Sequence, residues 1–302
     1  NIAKGAMTLI DETRADHLTA RLVDAVVAAG GSAANTMTGV ASFGGKAAYI
    51  GKVAQDELGA RFTQEFRAAG VAFDTAPRPG QPGTARSLIA VTPDGQRSMN
   101  TYLGASTLLS PEDIDAPLIQ SGATLFLEGY LFDRDEAKSA FVRASEIARA
   151  AGRKVSLTLS DRFCVDRHRD SFRHLVEGHI DILFSNESEI TGLYENDDLG
   201  DALATARQAC PLVIVTRGEH GSLIAAGNET VEIKPMPVAR VVDSTGAGDQ
   251  YAAGFLFGYA KGRSLAECGA LASLAAAEVI SHIGPRPEEN LRALALKTGF
   301  RV

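Results

Sequence analysis

The segment Asp243-Ser244-Thr245-Gly246-Ala247-Gly248-Asp249 runs directly into Gln250-Tyr251-Ala252-Ala253-Gly254. Two acids bracket a turn of small residues, and a stretch of helical composition follows. Small residues let a backbone turn sharply and come close to a ligand. A helix N-terminus offers unpaired N–H groups and a partial positive charge, so it attracts phosphate. The segment predicts a loop-plus-helix anion site, with Asp249 in the first helical turn. Read alone, it is also a tight turn before a helix that opens on an acid.

Outward from this segment, short apolar runs at 125–127, 155–159, 180–184 and 212–216 alternate with helical stretches near 135–151, 166–177 and 198–209. That alternation predicts an α/β fold, a mostly parallel sheet covered on both faces. Such sheets bind ligands at the carboxyl ends of their strands. The runs 221–226 and 229–234 flank Gly227-Asn228 and read as a hairpin. Helices are expected at 246–261, 264–282 and 288–296.

Nearer the start, residues 6–10 read as a strand and Asp11 as an N-cap. Leu18, Leu22, Val23 and Val26 have helical spacing and predict a helix over 15–27. A helix over 33–43, a strand over 47–53 and a helix over 56–69 follow. The stretches 84–92 and 98–103 alternate around Pro93-Asp94-Gly95 and predict a second hairpin. Residues 1–29 and 84–105 are therefore expected to form a small β-rich lid. Residues 30–83 and 106–302 would form the large nucleotide- and substrate-binding domain.

The composition limits the partners. Thirty Lys and Arg against 37 Asp and Glu leave a formal net charge of −7. A nucleic-acid binder would rest on a basic excess, so none is expected. Three cysteines, Cys164, Cys210 and Cys268, lie far apart with no CxxC pair. They read as buried free thiols in a reducing cytoplasm. The uncharged stretch 25–45 is long enough to span a bilayer. It is rich in Gly, Ser, Thr and Asn rather than apolar, so no membrane span is expected. No basic region leads into an apolar core at the start, so no secretion signal is read.

Asp243–Asp249 resembles the signature of the ribokinase-like (phosphofructokinase-B-type) sugar and nucleoside kinases. The resemblance implies a three-layer α/β/α fold with a small β lid. It makes Asp249 the base that takes the acceptor hydroxyl's proton, and the N–H groups of Gly246, Ala247 and Gly248 an anion hole. Gly30-Gly31-Ser32-Ala33-Ala34-Asn35 resembles the family's early Gly-Gly-x-x-x-Asn element. It implies acceptor contacts at Gly31, Ser32 and Asn35, with Tyr130 and Arg97 beside them. By their residues alone, Tyr130 also reads as a core aromatic and Arg97 as a solvated hairpin charge.

Asn186-Glu187-Ser188-Glu189 resembles the family's Asn-x-x-Glu motif. The likeness implies ATP contact at Asn186 and Mg²⁺ near Glu189, through water. The same four residues read equally as a capped helix start. Thr216-Arg217-Gly218-Glu219-His220-Gly221 resembles the family's nucleotide loop. It implies ATP contacts at Thr216, Gly218 and Gly221, with Thr245, Gly246 and Gly248 across from them.

The resemblance covers nearly the whole chain and sharpens toward bacterial adenosine kinases. It implies transfer of phosphate from ATP·Mg²⁺ to the 5′-hydroxyl of adenosine, by a cytoplasmic monomer or homodimer, with K⁺ as a further candidate cofactor. A ribose- or fructose-type sugar kinase is the alternative within the family. A non-catalytic purine or sugar sensor is the alternative outside it, although a sensor needs no base. A dinucleotide-binding oxidoreductase lacks its early GxGxxG. Family members begin with a Gly-rich strand carrying an acceptor-binding Asp, and that strand is expected to precede Asn1.

Overall fold

The computed structural model describes residues 7–92, 97–132 and 134–302. In chain order the strands are β1 (Met7–Leu9), β2 (Ala47–Ala48), β3 (Val71–Ala72), β4 (Arg86–Val91), β5 (Arg97–Tyr102), β6 (Thr124–Glu128), β7 (Lys154–Thr158), β8 (Ile182–Asn186), β9 (Leu212–Thr216), β10 (Ser222–Ala226) and β11 (Glu229–Ile233). The helices are α1 (Glu12–Thr19), α2 (Ser32–Ser42), α3 (Glu57–Ala68), α4 (Ala116–Ser121), α5 (Asp135–Ala150), α6 (Arg162–His179), α7 (Glu187–Tyr194), α8 (Leu199–Ala209), α9 (Ala247–Ala260), α10 (Leu265–Val279) and α11 (Leu291–Lys297).

Six strands form the main sheet in the order β11-β10-β9-β8-β7-β6. Strands β6 to β9 are parallel, and β9, β10 and β11 are antiparallel. Alternate residues of a strand face opposite sides, and the core divides accordingly. Leu183, Val213 and Val215 pack with Phe172 of α6 and Leu203 of α8. Ile182, Phe184 and Ile214 pack on the other side with Tyr251 and Phe255 of α9 and Ala272 of α10. Two helical layers thus cover both faces, giving the ribokinase-like three-layer α/β/α arrangement. Helix α2 lies close against α9: a Cβ on Gly39 would sit 2.6 Å from the Ala253 side chain.

A separate three-stranded sheet has the order β1-β5-β4, with β1 parallel and β4 antiparallel to β5. Met7 and Leu9 stand in register with Met99 and Thr101. Cys164, Cys210 and Cys268 are free and buried, as their spacing predicts.

Several elements differ from the sequence reading. Helix α1 ends at Thr19 instead of running to 27, and Asp24 takes a left-handed φ of 54°. Leu22, Val23, Val26 and Val27 are exposed, Val23 at 83%. A short helix is held mainly by its buried face, and this stripe has none. The segment is anchored instead through its backbone: Arg61 Nη2 donates to Val27 O, and Ala29 N–H donates to Glu65. The strand expected over 47–53 stops at Ala48. The Tyr49 ring folds over Gly51, where a Cβ would lie 2.4 Å from it. Helix α6 also starts earlier than expected, at Arg162, capped by Asp161. The turn residues Pro93-Asp94-Gly95 and the first residues of the chain, Asn1 to Ala6, lie outside the described residues.

Candidate active site

The parallel strands end together on one side of the sheet. Glu128 closes β6, Asn186 closes β8 and Thr216 closes β9. The first turns of α2 and α9 meet above this edge. Both helices open on a glycine with positive φ and no side-chain cap: Gly31 at 105° and Gly246 at 81°. At Gly246 glycine is required twice over, because a Cβ would also lie 2.5 Å from the Pro285 carbonyl oxygen. The Ala247 N–H closes a turn on Ser244 O at 3.3 Å. Nothing lies within 4 Å of a Cβ built on Gly248.

Asp249 is held by two donors from α2. Ser32 Oγ donates to its Oδ1 at 2.7 Å, and Asn35 Nδ2 donates to its Oδ2 at 2.9 Å. Burial raises the Asp249 pKa; the two hydrogen bonds and the Arg97 charge work against the rise. Arg97 also crosses from β5 to the signature loop, where its Nη1 donates to Ser244 O at 3.1 Å. Asp243 braces the same loop from beneath. It is buried and accepts from the Thr245 N–H, the Thr245 hydroxyl and the Gly284 N–H.

Glu128 lies on the far side of the α2 start. Its Oε2 accepts the Ala33 N–H at 2.6 Å. Burial pushes this carboxyl up to about 7; the Ala33 N–H opposes the shift and the Asp249 charge adds to it. The α2 first turn is thus gripped between two carboxylates.

Beside them is a small apolar gap. Met7 and Leu9 of β1 and Leu103, just past β5, line it on one side, and Tyr130, Phe163 and Cys164 on the other. The Tyr130 hydroxyl is tethered to Ser160 O at 3.1 Å. The Arg167 guanidinium, also at the gap, lies 5.2 Å from the centre of the Phe163 ring.

The other half of the edge is built differently. Asn186 and Glu189 form a reciprocal capping box at the start of α7. Both Glu189 oxygens accept from Asn186, one from its N–H at 3.0 Å and one from its amide at 2.6 Å. Burial raises Glu189 to about 7, with the Asn186 N–H opposing and Asp161 adding to the shift. Thr216 Oγ1 donates to Ser185 O at 3.3 Å. Gly218 and Gly221 bound a short turn, both with positive φ. A Cβ on Gly221 would sit 2.0 Å from Ile233 O.

A model of the pfkB family of carbohydrate kinases matches residues 5–290. The chain belongs to this family. The solved structure of an adenosine kinase from Sinorhizobium meliloti is 51% identical, with a TM-score of 0.96 over 99% of this chain and 91% of that one. The structure of a probable sugar kinase protein from Rhizobium etli is 48% identical, also with a TM-score of 0.96, over 99% of this chain and 91% of that one. An adenosine kinase of Saccharomyces cerevisiae is 27% identical over 280 residues, 87% of this chain and 81% of its own length. This pfkB-family chain is a phosphotransferase with an alcohol group as acceptor.

Within this pfkB-family site the structure brings Gly31, Ser32, Asn35, Arg97 and Asp249 to one point. Tyr130 stands at the adjoining gap. Asn186, Thr216, Gly218 and Gly221 gather along β8 and β9, with Glu189 turned back onto Asn186. Sequence reasoning passed over Glu128. Its signal was a lone acid ending an apolar strand, the place where parallel sheets present ligand-binding groups. Among the described residues no three His, Cys, Asp or Glu side chains converge as a metal cage. Asn186 and Glu189 are bonded to each other in the capping box. No helix among the described residues is long and apolar enough to cross a membrane.

Proposed function

We propose that the chain transfers the γ-phosphoryl group of ATP to the 5′-hydroxyl of adenosine, giving AMP and ADP. One observation carries the reading. A base-ready carboxylate, Asp249, is clamped by Ser32 and Asn35 at an uncapped helix start, next to a gap walled by Tyr130 and Phe163. The 51% identity to an adenosine kinase from Sinorhizobium meliloti supports a nucleoside over a sugar as the acceptor.

The acceptor's ribose lies against Gly31, Ser32 and Asn35, and its 5′-oxygen faces Asp249. Burial raises the pKa of Asp249, which makes its carboxylate a stronger base. As the 5′-oxygen attacks phosphorus, its proton passes to an Asp249 oxygen. The bond from phosphorus to the ADP oxygen breaks, and charge grows on the transferring group. The N–H groups of Gly246 and Gly248, with the Ala247 N–H that now turns onto Ser244 O, and the Arg97 guanidinium face that charge. ATP itself runs along Asn186, Thr216, Gly218, Gly221 and Thr245. Mg²⁺, when bound on the phosphates, supplies charge neutralisation there. The β1-β5-β4 sheet, with residues 1–29 and 84–105, acts as the lid that excludes water. This reading places the protein in cytoplasmic purine salvage.

A sugar acceptor is the second reading, and Glu128 favours it, since a carboxylate at the acceptor side can take further hydroxyl donors. The test is ADP release with ATP·Mg²⁺ and adenosine, inosine, guanosine, ribose or fructose, with an acceptor-free blank, each with and without K⁺. Turnover with adenosine above all others is expected. Turnover with ribose or fructose alone overturns the adenosine assignment. Asp249→Asn keeps the shape and removes the base, and should lower kcat by about 10²–10⁴-fold. Near-normal turnover of a folded Asp249→Asn protein would refute the base assignment.

A further inference from the structure

Arg286 follows the Gly284-Pro285 turn behind α10 and reaches back to α2. Its Nε donates to Asn35 Oδ1 at 3.4 Å, and its guanidinium lies 5.5 Å from the centre of the Phe66 ring. Nη2 is buried without a hydrogen-bond partner among the described residues. Burial lowers the Arg286 pKa, with Glu65 and Tyr49 acting in the opposite direction. Leaving a buried donor unpaired is costly. A neutral side chain of similar length would pack on Phe66 without that cost.

What the guanidinium does is visible at Asn35, a residue only 4% exposed. An Asn amide has a donor end and an acceptor end of nearly the same shape, so its neighbours decide which way it points. Here a cation stands at Oδ1 and the Asp249 carboxylate at Nδ2. A flipped amide would set oxygen against carboxylate and NH₂ against guanidinium. The Asn35 carbonyl is fixed as well: Gln250 Nε2 donates to it at 2.9 Å and to Pro285 O at 3.1 Å. The segment that crowds Gly246 through Pro285 therefore also sets Asn35 through Arg286.

We propose that Arg286 is a positioning residue for phosphoryl transfer, holding the Asn35 amide so that its Nδ2 is aimed at Asp249. The proposal rests on Asp249 as the base.

The test is a double-mutant cycle with whichever acceptor turns over. Arg286→Met should lower kcat about tenfold, within the range for residues that act through a neighbour, and leave the KM for ATP within about twofold. In an Asn35→Ala background the same change should cost less than about twofold, because the pathway it acts through is gone. Arg286→Ala should regain kcat with guanidinium ion at unchanged Tm, which a purely structural defect would not do. If Arg286→Met does not fold, Arg286→Lys keeps the charge without the Nε–H, and a smaller kcat loss at wild-type ATP KM is expected. Wild-type kcat in folded Arg286→Met, or an equal loss in the Asn35→Ala background, overturns the proposal. Asp249→Asn, run alongside, separates the two failures. Only if it too turns over normally does the base reading itself fail.

Discussion

Helices α7 and α9 both begin at the carboxyl edge of the main sheet, and both carry an acid at the third helical position. Glu189 of α7 folds back onto its own N-cap, Asn186, and the box closes on itself. Asp249 of α9 follows a glycine cap that has no side chain to offer. Its carboxylate turns outward instead, to Ser32 and Asn35 on another helix. Most of the other described helices are capped like α7, by Asp11, Asp56, Asp115, Asp161, Asp198, Ser264 or Asn290. Where polarity is consumed locally, it builds the fold. Where glycine leaves it unspent beside a positioned carboxylate, it is available to a ligand.

The α9 start is where this contrast breaks most visibly. Gly246→Ala meets both the φ of 81° and the Pro285 carbonyl, and should cost about 1–3 kcal/mol of stability. Misplacing the N–H groups should also lower kcat by about 10²-fold or more. Gly248→Ala is the sharper partner, because its Cβ meets no atom within 4 Å. Thermal melts should leave its Tm unchanged, while kcat/KM for ATP falls about tenfold as the methyl enters the phosphate's space. A Gly248→Ala protein with wild-type kinetics would mean that this open space is not the phosphate's.

The signature turn and the four parallel strands were legible because local chemistry sets them. Small residues mark the turn, and continuous apolar runs mark strands buried on both faces. Asn35 and Ser32 were legible by resemblance, but their grip on Asp249 was not, since it joins residues more than 200 positions apart. The helix expected over 15–27 failed for the same reason. Its apolar spacing is real, yet spacing cannot say whether a partner surface exists. Asn186-x-x-Glu189 read two ways in the sequence, and geometry shows the capping box while leaving its relation to ATP as a proposal. Glu128 was missed because a single acid at a strand end carries no pattern of its own.

Glu189→Ala tests the α7 side of the comparison. It removes the return half of the capping box and should cost about 0.5–2 kcal/mol of stability. Turnover of the folded protein at saturating ATP·Mg²⁺ should fall by less than about tenfold. A loss on the scale of Asp249→Asn would put Glu189 in the reaction and erase the difference between the two helix starts.

The smallest effect expected is on pH dependence, and it concerns the third helix start, α2. There Glu128 supplies from β6 the carboxylate that Glu189 supplies from within α7, and both carboxyls sit at about 7. A carboxyl raised in the folded state holds its proton longer there than in the unfolded chain. Its stabilising contribution is full below the ordinary carboxylate pKa and is lost as pH rises through about 7. Glu128→Gln stays neutral and accepts the same Ala33 N–H, so it escapes that loss. Its Tm relative to wild type should therefore rise by about 1–3 °C between roughly pH 5 and 8. Glu189→Gln should move the same way, since its carboxyl is raised by the same cause, burial. A Glu128→Gln difference that stays flat, with Glu189→Gln rising, would mean that Glu128 is already ionised beside Asp249. The α2 turn would then be held between two full negative charges, and Arg97 and Arg286 would be the groups that balance them.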